Sequence, residues 1–243
     1  MKEFEKKGFS IIKINKEKKI SSLRAKFISI FSKISELNNC GKVNNDKKIL
    51  QLYKKKKKLW VGAYDQIRLL PEIHSLIDED FLNKIKKVSG IKIPAFTSKP
   101  IVRVYMPKNI GTTKTVPHID YPSHRGSKNA VTVWFPLQSL NSKSGTLMVL
   151  PGSHRFKTIS GSIERGTVKR LDISNRDYEN QMEHLILKSG EAIVMSQFLV
   201  HSSGNNSSDM IRFSIDFRLN DLSEKSYALR KYYVNQISYY RKR

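Results

Sequence analysis

A histidine and an aspartate stand two positions apart in PHIDYPS, residues 117–123. In an extended chain residues i and i+2 point to the same side, so His118 and Asp120 stand next to each other. Such a pair is either a surface ion pair or two of the three ligands in a 2-His-1-carboxylate site for non-haem Fe(II). The second outcome needs another histidine from a distant segment. FLVHSSG at 198–204 offers His201 at the end of an apolar run that reads as a core strand. The cluster GNNSSD at 204–209 reads as a turn. A hairpin turning between Asn206 and Ser207 sets Arg212 directly opposite His201, and directly opposed residues share a face. Arg212 then enters the same pocket, with Ser214 one step along. A dianionic co-substrate such as 2-oxoglutarate chelates Fe(II) through its keto-acid end and needs a buried cation for its far carboxylate. An arginine fork supplies two charge-assisted hydrogen bonds to it, and the Ser214 hydroxyl adds a third.

Each signal has a plainer reading when taken alone. A lone HxD is more often structural than metal-binding, and a lone Trp134 belongs in a core. His201 and Arg212 in register tip the balance toward a metal site. The remaining histidines do not join it: His154 in PGSH organises a turn, and His74 and His184 read as surface or packing residues. Cys40 has no nucleophile context.

The elements that must position these residues change character along the chain. The first half is helical. A helix capped by Ser21 or Ser22 carries Leu23, Phe27, Ile30, Phe31, Ile34 and Leu37 at three- and four-residue spacing. A second starts at Asn45 or Asp46, a third covers 64–70, and a fourth runs from Asp78 to Gly90. A short strand over 9–14 precedes them. After Pro94, short β-rich segments separated by turn residues cover 101–106, 131–137, 146–150, 184–187, 192–195, 198–202 and 210–219. Closely spaced strands of this kind form a sandwich or barrel. A last helix spans 223–240. The expected organisation is one domain over 1–243, with 1–93 as helical support, 94–220 as the β core and 221–243 as the C-terminal helix.

Composition bounds the function classes. The chain has 243 residues, 39% hydrophobic and 27% charged, which suits a globular protein. No apolar run is long enough to span a bilayer, and the one cysteine rules out an internal disulfide and suits a reducing cytoplasm. The net charge is +24, from 45 basic and 21 acidic residues. Such charge raises nucleic acid as a partner, but no zinc-finger or RNA-binding motif accompanies it. The run Lys54 to Lys58 reads as the solvated face of a helix. A lysine-rich composition accounts for the excess, and its field still draws anionic small molecules.

HxD at 118–120, WFPL at 134–137, SGTLMVLPGSH at 144–154, GEAIVMSQFLVHSSGNNSS at 190–208 and RFS at 212–214 together resemble the phytanoyl-CoA dioxygenase-like Fe(II)/2-oxoglutarate oxygenases. The opening FEKKGFSIIK is similar to that family's N-terminal strand. The resemblance covers most of 95–219. It implies a mainly β fold, a double-stranded β-helix (jelly-roll, cupin-like), with the N-terminal helices and the C-terminal helix packed outside. It implies His118, Asp120 and His201 as iron ligands and Arg212 as the 2-oxoglutarate clamp, assisted by Ser214 and Ser203. Trp134 matches a family tryptophan near the co-substrate, Thr132 shares its strand face, and Arg103 and Tyr105 share a face on an earlier strand that contributes to this pocket. The implied reaction consumes O2 and 2-oxoglutarate, releases succinate and CO2, and hydroxylates an unactivated C–H bond. Asp120 argues against a halogenase, in which a small residue replaces the carboxylate. The loop 121–129, with His124, Arg125 and Lys128, is expected to overhang the iron and select an anionic small substrate. A further likeness to oxygenases of bacterial surface-carbohydrate gene clusters puts a sugar or nucleotide-sugar first. The alternatives are an RNA-modifying oxygenase and a non-catalytic basic jelly-roll that binds nucleic acid.

Overall fold

The computed structural model describes residues 1–111, 115–121, 126–156 and 178–228. His124 and Arg125, and the expected C-terminal helix beyond Ala228, lie outside the described residues.

Four helices longer than two turns fill the first half. α1 (Lys2–Lys7) ends on Gly8 and leads into β1 (Phe9–Lys13). α2 (Glu17–Leu37) starts earlier than the serine cap expected for it, because Ile20 adds one more turn to the buried stripe Leu23, Phe27 and Phe31. α3 (Asp46–Lys55) is capped by Asn45, whose side chain accepts from the Lys48 N–H. α4 (Lys57–Ile67) begins seven residues before the start expected for it, directly after the break at Lys56. The run Lys54 to Lys58 therefore straddles a helix junction instead of lying on one face. α5 (Glu79–Ser89) has the expected Asp78 cap and the left-handed Gly90 at its end.

The β half is two facing sheets. β2 (Pro94–Phe96), β3 (Ile101–Tyr105), β4 (Val131–Pro136), β7 (Glu191–Ser196) and β9 (Arg212–Asp221) join β1 in a large antiparallel sheet. Its order is β1-β7-β4-β9, with β2 and β3 sharing the far edge of β9. β5 (Leu147–Val149), β6 (Glu183–Leu185) and β8 (His201–Ser203) form the small sheet, in the order β6-β5-β8. β2 was not foreseen, and the expected strand over 198–202 is shorter. Leu199 N donates to Ser196 O, so the apolar run FLV bends as a turn before β8 begins.

Two cores follow from the period-2 pattern of the large sheet. Val131, Val133, Phe135, Val194, Phe213, Ile215 and Phe217 face outward under the helices. Phe213 meets Phe27 edge-on at 5.8 Å, and Phe217 meets Phe81 at 5.9 Å. Trp134, Ile193 and Met195 face inward onto Leu147 and Val149 of the small sheet. Beside this second core, the inward face of β9 carries Arg212, Ser214, Asp216, Arg218 and Asn220, all buried. Five buried polar residues in alternation on a central strand are costly unless each is paired or holds a ligand. That polar floor defines where the interior works.

Candidate active site

His118 is attached to the small sheet through a two-way backbone bridge with His201: His118 N donates to His201 O at 3.0 Å, and His201 N to His118 O at 2.9 Å. The N–H groups of Asp120 and Tyr121 both donate to the Gln197 carbonyl, each at 3.0 Å. This fixes the HxD segment without a regular strand. His118 Nε2 lies 3.8 Å and His201 Nε2 4.0 Å from Asp120 Oδ1. One ligand atom from each of the three lies within 4.8 Å of the others, the only such cluster among the described residues.

The second nitrogen of each imidazole is engaged. His118 Nδ1 meets Val116 O at 2.9 Å and His201 Nδ1 meets Leu199 O at 3.0 Å. A carbonyl only accepts, so both Nδ1 atoms carry the proton and both Nε2 lone pairs face the aspartate. That is how histidine ligands are oriented at metal sites. Burial first, and then the neighbouring His201 ring, push His118 down to about 4, which keeps its imidazole neutral at ordinary pH. Burial works to raise the Asp120 carboxyl, but His201, Arg218 and Thr132 outweigh it and hold it well below the usual range. The donor set fits a divalent metal.

Arg212 faces the same cavity from the opposite sheet. The expected hairpin between His201 and Arg212 does not exist: β8 pairs with β5, whereas β9 pairs with β2, β3 and β4. The turn cluster hands the chain from one sheet to the other. Asn206 ties it down by donating to Tyr105 O and Met210 O. His201 and Arg212 meet across the sandwich instead of along a ladder, and both line the cavity. The Arg212 guanidinium stacks 4.8 Å from the Tyr105 ring and 5.4 Å from the Trp134 ring. Its Nη1 donates to Gly145 O at 2.6 Å, its Nε has no partner, and it pairs with no carboxylate among the described residues. Burial pushes its pKa down to about 10. Gly145 has φ +64°, and a Cβ there would lie 2.6 Å from Tyr105 Cε1, so a glycine is required to bring its carbonyl to the arginine.

The Ser214 Oγ is fully buried and also lacks a partner among the described residues. A desolvated cation and an orphaned hydroxyl on one face fit the far carboxylate of a dicarboxylate. Ser203 lines the cavity, but its Oγ accepts from Thr115 N at 2.8 Å, so it also fastens the segment leading to His118. Thr132 Oγ1 donates to Asp120 Oδ2 at 2.5 Å, which ties it to the aspartate and not to the Arg212 end. Arg103 lines the cavity and donates through Nε to Asp216 at 2.8 Å. Lys128 is exposed and is not among the cavity-lining residues; its backbone N–H donates to Glu224.

Two charged lining residues, Asp216 and Arg218, escaped the sequence reading. Arg218 forks onto Asp120, with Nε at 3.2 Å from Oδ2 and Nη2 at 3.1 Å from Oδ1, while its Nη1 donates to Asp216 at 2.8 Å. The signal was present in RFSIDFR: continuing the alternation beyond Ser214 reaches Asp216 and Arg218. Of the other histidines, His154 Nε2 meets Glu5 O and His184 Nδ1 meets Thr146 Oγ1.

A jelly-roll whose cavity joins two histidines, one aspartate and a buried arginine has the fold and donor set of the non-haem iron, 2-oxoglutarate-dependent oxygenases. The profile of the phytanoyl-CoA dioxygenase (PhyH) family matches residues 41–214. The chain belongs to that family. Peroxisomal phytanoyl-CoA dioxygenase of Bos taurus is 26% identical over 110 residues, 42% of this chain and 32% of that protein. The Mus musculus enzyme is 27% identical over 155 residues, 60% and 43%. The matched regions thus span less than half of these relatives. Among solved structures, EctD from S. alaskensis with bound Fe superposes with a TM-score of 0.59 at 13% identity, over 92% of this chain and 76% of that one. The epimerase SnoN in complex with Fe3+, alpha ketoglutarate and nogalamycin RO superposes at 0.56 with 17% identity, over 91% and 82%.

Proposed function

We propose that the protein is an Fe(II)- and 2-oxoglutarate-dependent dioxygenase that hydroxylates a C–H bond of a small anionic metabolite. The observation that carries the reading is the buried Arg212, which pairs with no carboxylate among the described residues and lines the same cavity as His118 and His201, with the buried Ser214 hydroxyl two residues along its strand face. His118 and His201 offer Nε2 lone pairs and Asp120 a carboxylate oxygen, and these three residues would hold the metal. Arg212 and Ser214 hold the far carboxylate of 2-oxoglutarate, with Tyr105 and Trp134 walling the guanidinium from water. When bound, the iron supplies O2 activation coupled to oxidative decarboxylation of 2-oxoglutarate. The chain's own work is to orient both partners and keep the cavity shielded.

The anionic substrate class is supported by the charges on the cavity wall. Arg103, Arg212 and Arg218 stand against Asp216 there, with Asp120 beside them. Arg103 is the half-exposed one, its side chain 47% accessible while Asp216 is 4%. It is the cation placed to meet a carboxylate or phosphate arriving from solvent. A sugar acid or nucleotide-sugar is the first class to screen. Arg125 and Lys128 of the loop 121–129 are proposed to assist in binding such an anion.

The test measures stoichiometric 2-oxoglutarate consumption and succinate release with added Fe(II), against a panel of anionic and neutral metabolites. Asp120→Ala should lose most metal binding and all turnover. A variant that binds Mn(II) as tightly as the parent removes Asp120 from the ligand set.

A further inference from the structure

We infer that Arg218 is a positioning residue of the metal centre: with Thr132 it holds the far oxygen of Asp120, so that the carboxylate presents Oδ1 alone to the metal. The inference rests on the reading of His118, Asp120 and His201 as metal ligands.

An ionised carboxylate has about four lone-pair sites. Oδ2 receives two donors, Thr132 Oγ1 at 2.5 Å and Arg218 Nε at 3.2 Å. Oδ1 receives one, Arg218 Nη2 at 3.1 Å. Its remaining lone pair lies on the side of the two imidazole Nε2 atoms, at 3.8 and 4.0 Å. The two oxygens therefore differ in what they have left to give. A bidentate fork also fixes the plane of the carboxylate, which a point charge does not. Arg218 is itself held. Its Nη1 donates to Asp216 Oδ2 at 2.8 Å, and Asp216 Oδ1 accepts from Arg103 Nε at 2.8 Å. Arg218, Asp216 and Asp120 are buried, so the chain Asp120–Arg218–Asp216–Arg103 is anchored at its metal end by packing as well as by charge.

A purely structural role would have Arg218 do no more than neutralise two buried carboxylates. Stability does not separate the readings, since losing Arg218 harms the fold in both. Metal affinity does not either. Removing a cation beside the metal strengthens attraction, while loosening the carboxylate weakens it. The geometry around the ion does separate them.

The experiment loads the full chain with one equivalent of Co(II) and records its visible absorption, whose intensity reports coordination number and symmetry. Arg218→Met should shift band position and intensity, because Asp120 is then free to turn its second oxygen to the metal. Thr132→Val, which removes the other Oδ2 donor and keeps the side-chain volume, should shift them in the same direction. Arg218→Lys, which keeps a donor, should stay nearer the parent. If Arg218→Met does not fold, Thr132→Val and Arg218→Lys decide. Spectra of the folded variants that superpose on the parent at one Co(II) per chain overturn the positioning role and leave the metal site standing. A parent that takes up no Co(II) overturns the metal site and this inference with it.

Discussion

Arg212 is the residue on which the co-substrate reading turns, because it is buried and pairs with no carboxylate among the described residues. Arg212→Ala removes the cation that 2-oxoglutarate requires. Truncating one partner of a buried charge pair costs roughly 2–5 kcal/mol, so 2-oxoglutarate affinity should fall by a factor on the order of 30 or more, at 1.4 kcal/mol per tenfold. Mn(II) binding should persist, since Arg212 contacts none of the three ligand residues. Isothermal titration with and without 2-oxoglutarate separates the two; unchanged affinity would move the clamp to Arg103. His118 contributes to the acid side of stability. Burial and the neighbouring His201 push it from 6.5 down to about 4, so the unfolded chain takes up a proton between those pH values before the folded chain does. Its contribution to stability is complete above about pH 6.5 and is lost as pH falls toward 4. Asp120, lowered from 3.8, loses its contribution only below that range. Denaturant melts of metal-free protein should weaken from pH 7 to pH 4, and His118→Gln should flatten that slope. A parallel slope in the variant assigns it to another group.

At the scale of elements, what was legible followed local chemistry, and what was not depended on crossing between sheets. The Asn45 and Asp78 caps, the Gly90 stop and the apolar stripe of α2 from Leu23 to Ile34 are written in residue types a few positions apart, and they form as expected, whereas Leu37 at the end of that stripe is exposed. The His118–Asp120 juxtaposition was legible through the i, i+2 rule, although a backbone bridge and not a regular strand enforces it. The route from His201 to Arg212 was not, because a turn cluster looks the same whether it closes a hairpin or passes the chain to the facing sheet. The two residues still share a cavity, since residues facing inward from opposed sheets converge as surely as cross-strand pairs. Nothing local marked Asp46, which reaches from α3 to the head of β9. Its Oδ2 accepts from the Ile211 N–H at 3.0 Å, one residue before Arg212, while Oδ1 accepts from Arg24 at 2.8 Å. Asp46→Ala leaves a buried N–H unsatisfied, at a cost of about 1–3 kcal/mol. The expected result is a lower denaturation midpoint together with weaker 2-oxoglutarate binding, because the start of β9 loses its anchor. A variant that loses stability and keeps parental 2-oxoglutarate affinity would show that β9 holds Arg212 in place without α3.

The charge of the whole molecule, +24, divides into two populations that salt can tell apart. Lys48, Lys54, Lys55, Lys56, Lys57 and Lys58 are exposed on and between the helices. Arg212 and Arg218 are buried in the cavity. Exposed charges more than about 10 Å apart are screened at 0.1 M salt, whereas buried ones are screened far less. Binding of RNA through the lysines would depend on counterion release, and a footprint of 6–10 phosphates loses roughly 10³–10⁵ in affinity between 50 and 200 mM salt. Binding of 2-oxoglutarate at Arg212 should change little over the same interval. The two affinities are therefore measured in parallel, by anisotropy of a labelled mixed-sequence RNA and by titration of 2-oxoglutarate into Mn(II)-loaded protein. If the charge is compositional, RNA binding vanishes by 200 mM and succinate release does not respond to RNA at any salt. RNA that stays bound at 200 mM and stimulates succinate release would move the substrate from a small metabolite to nucleic acid, with the cavity chemistry unchanged.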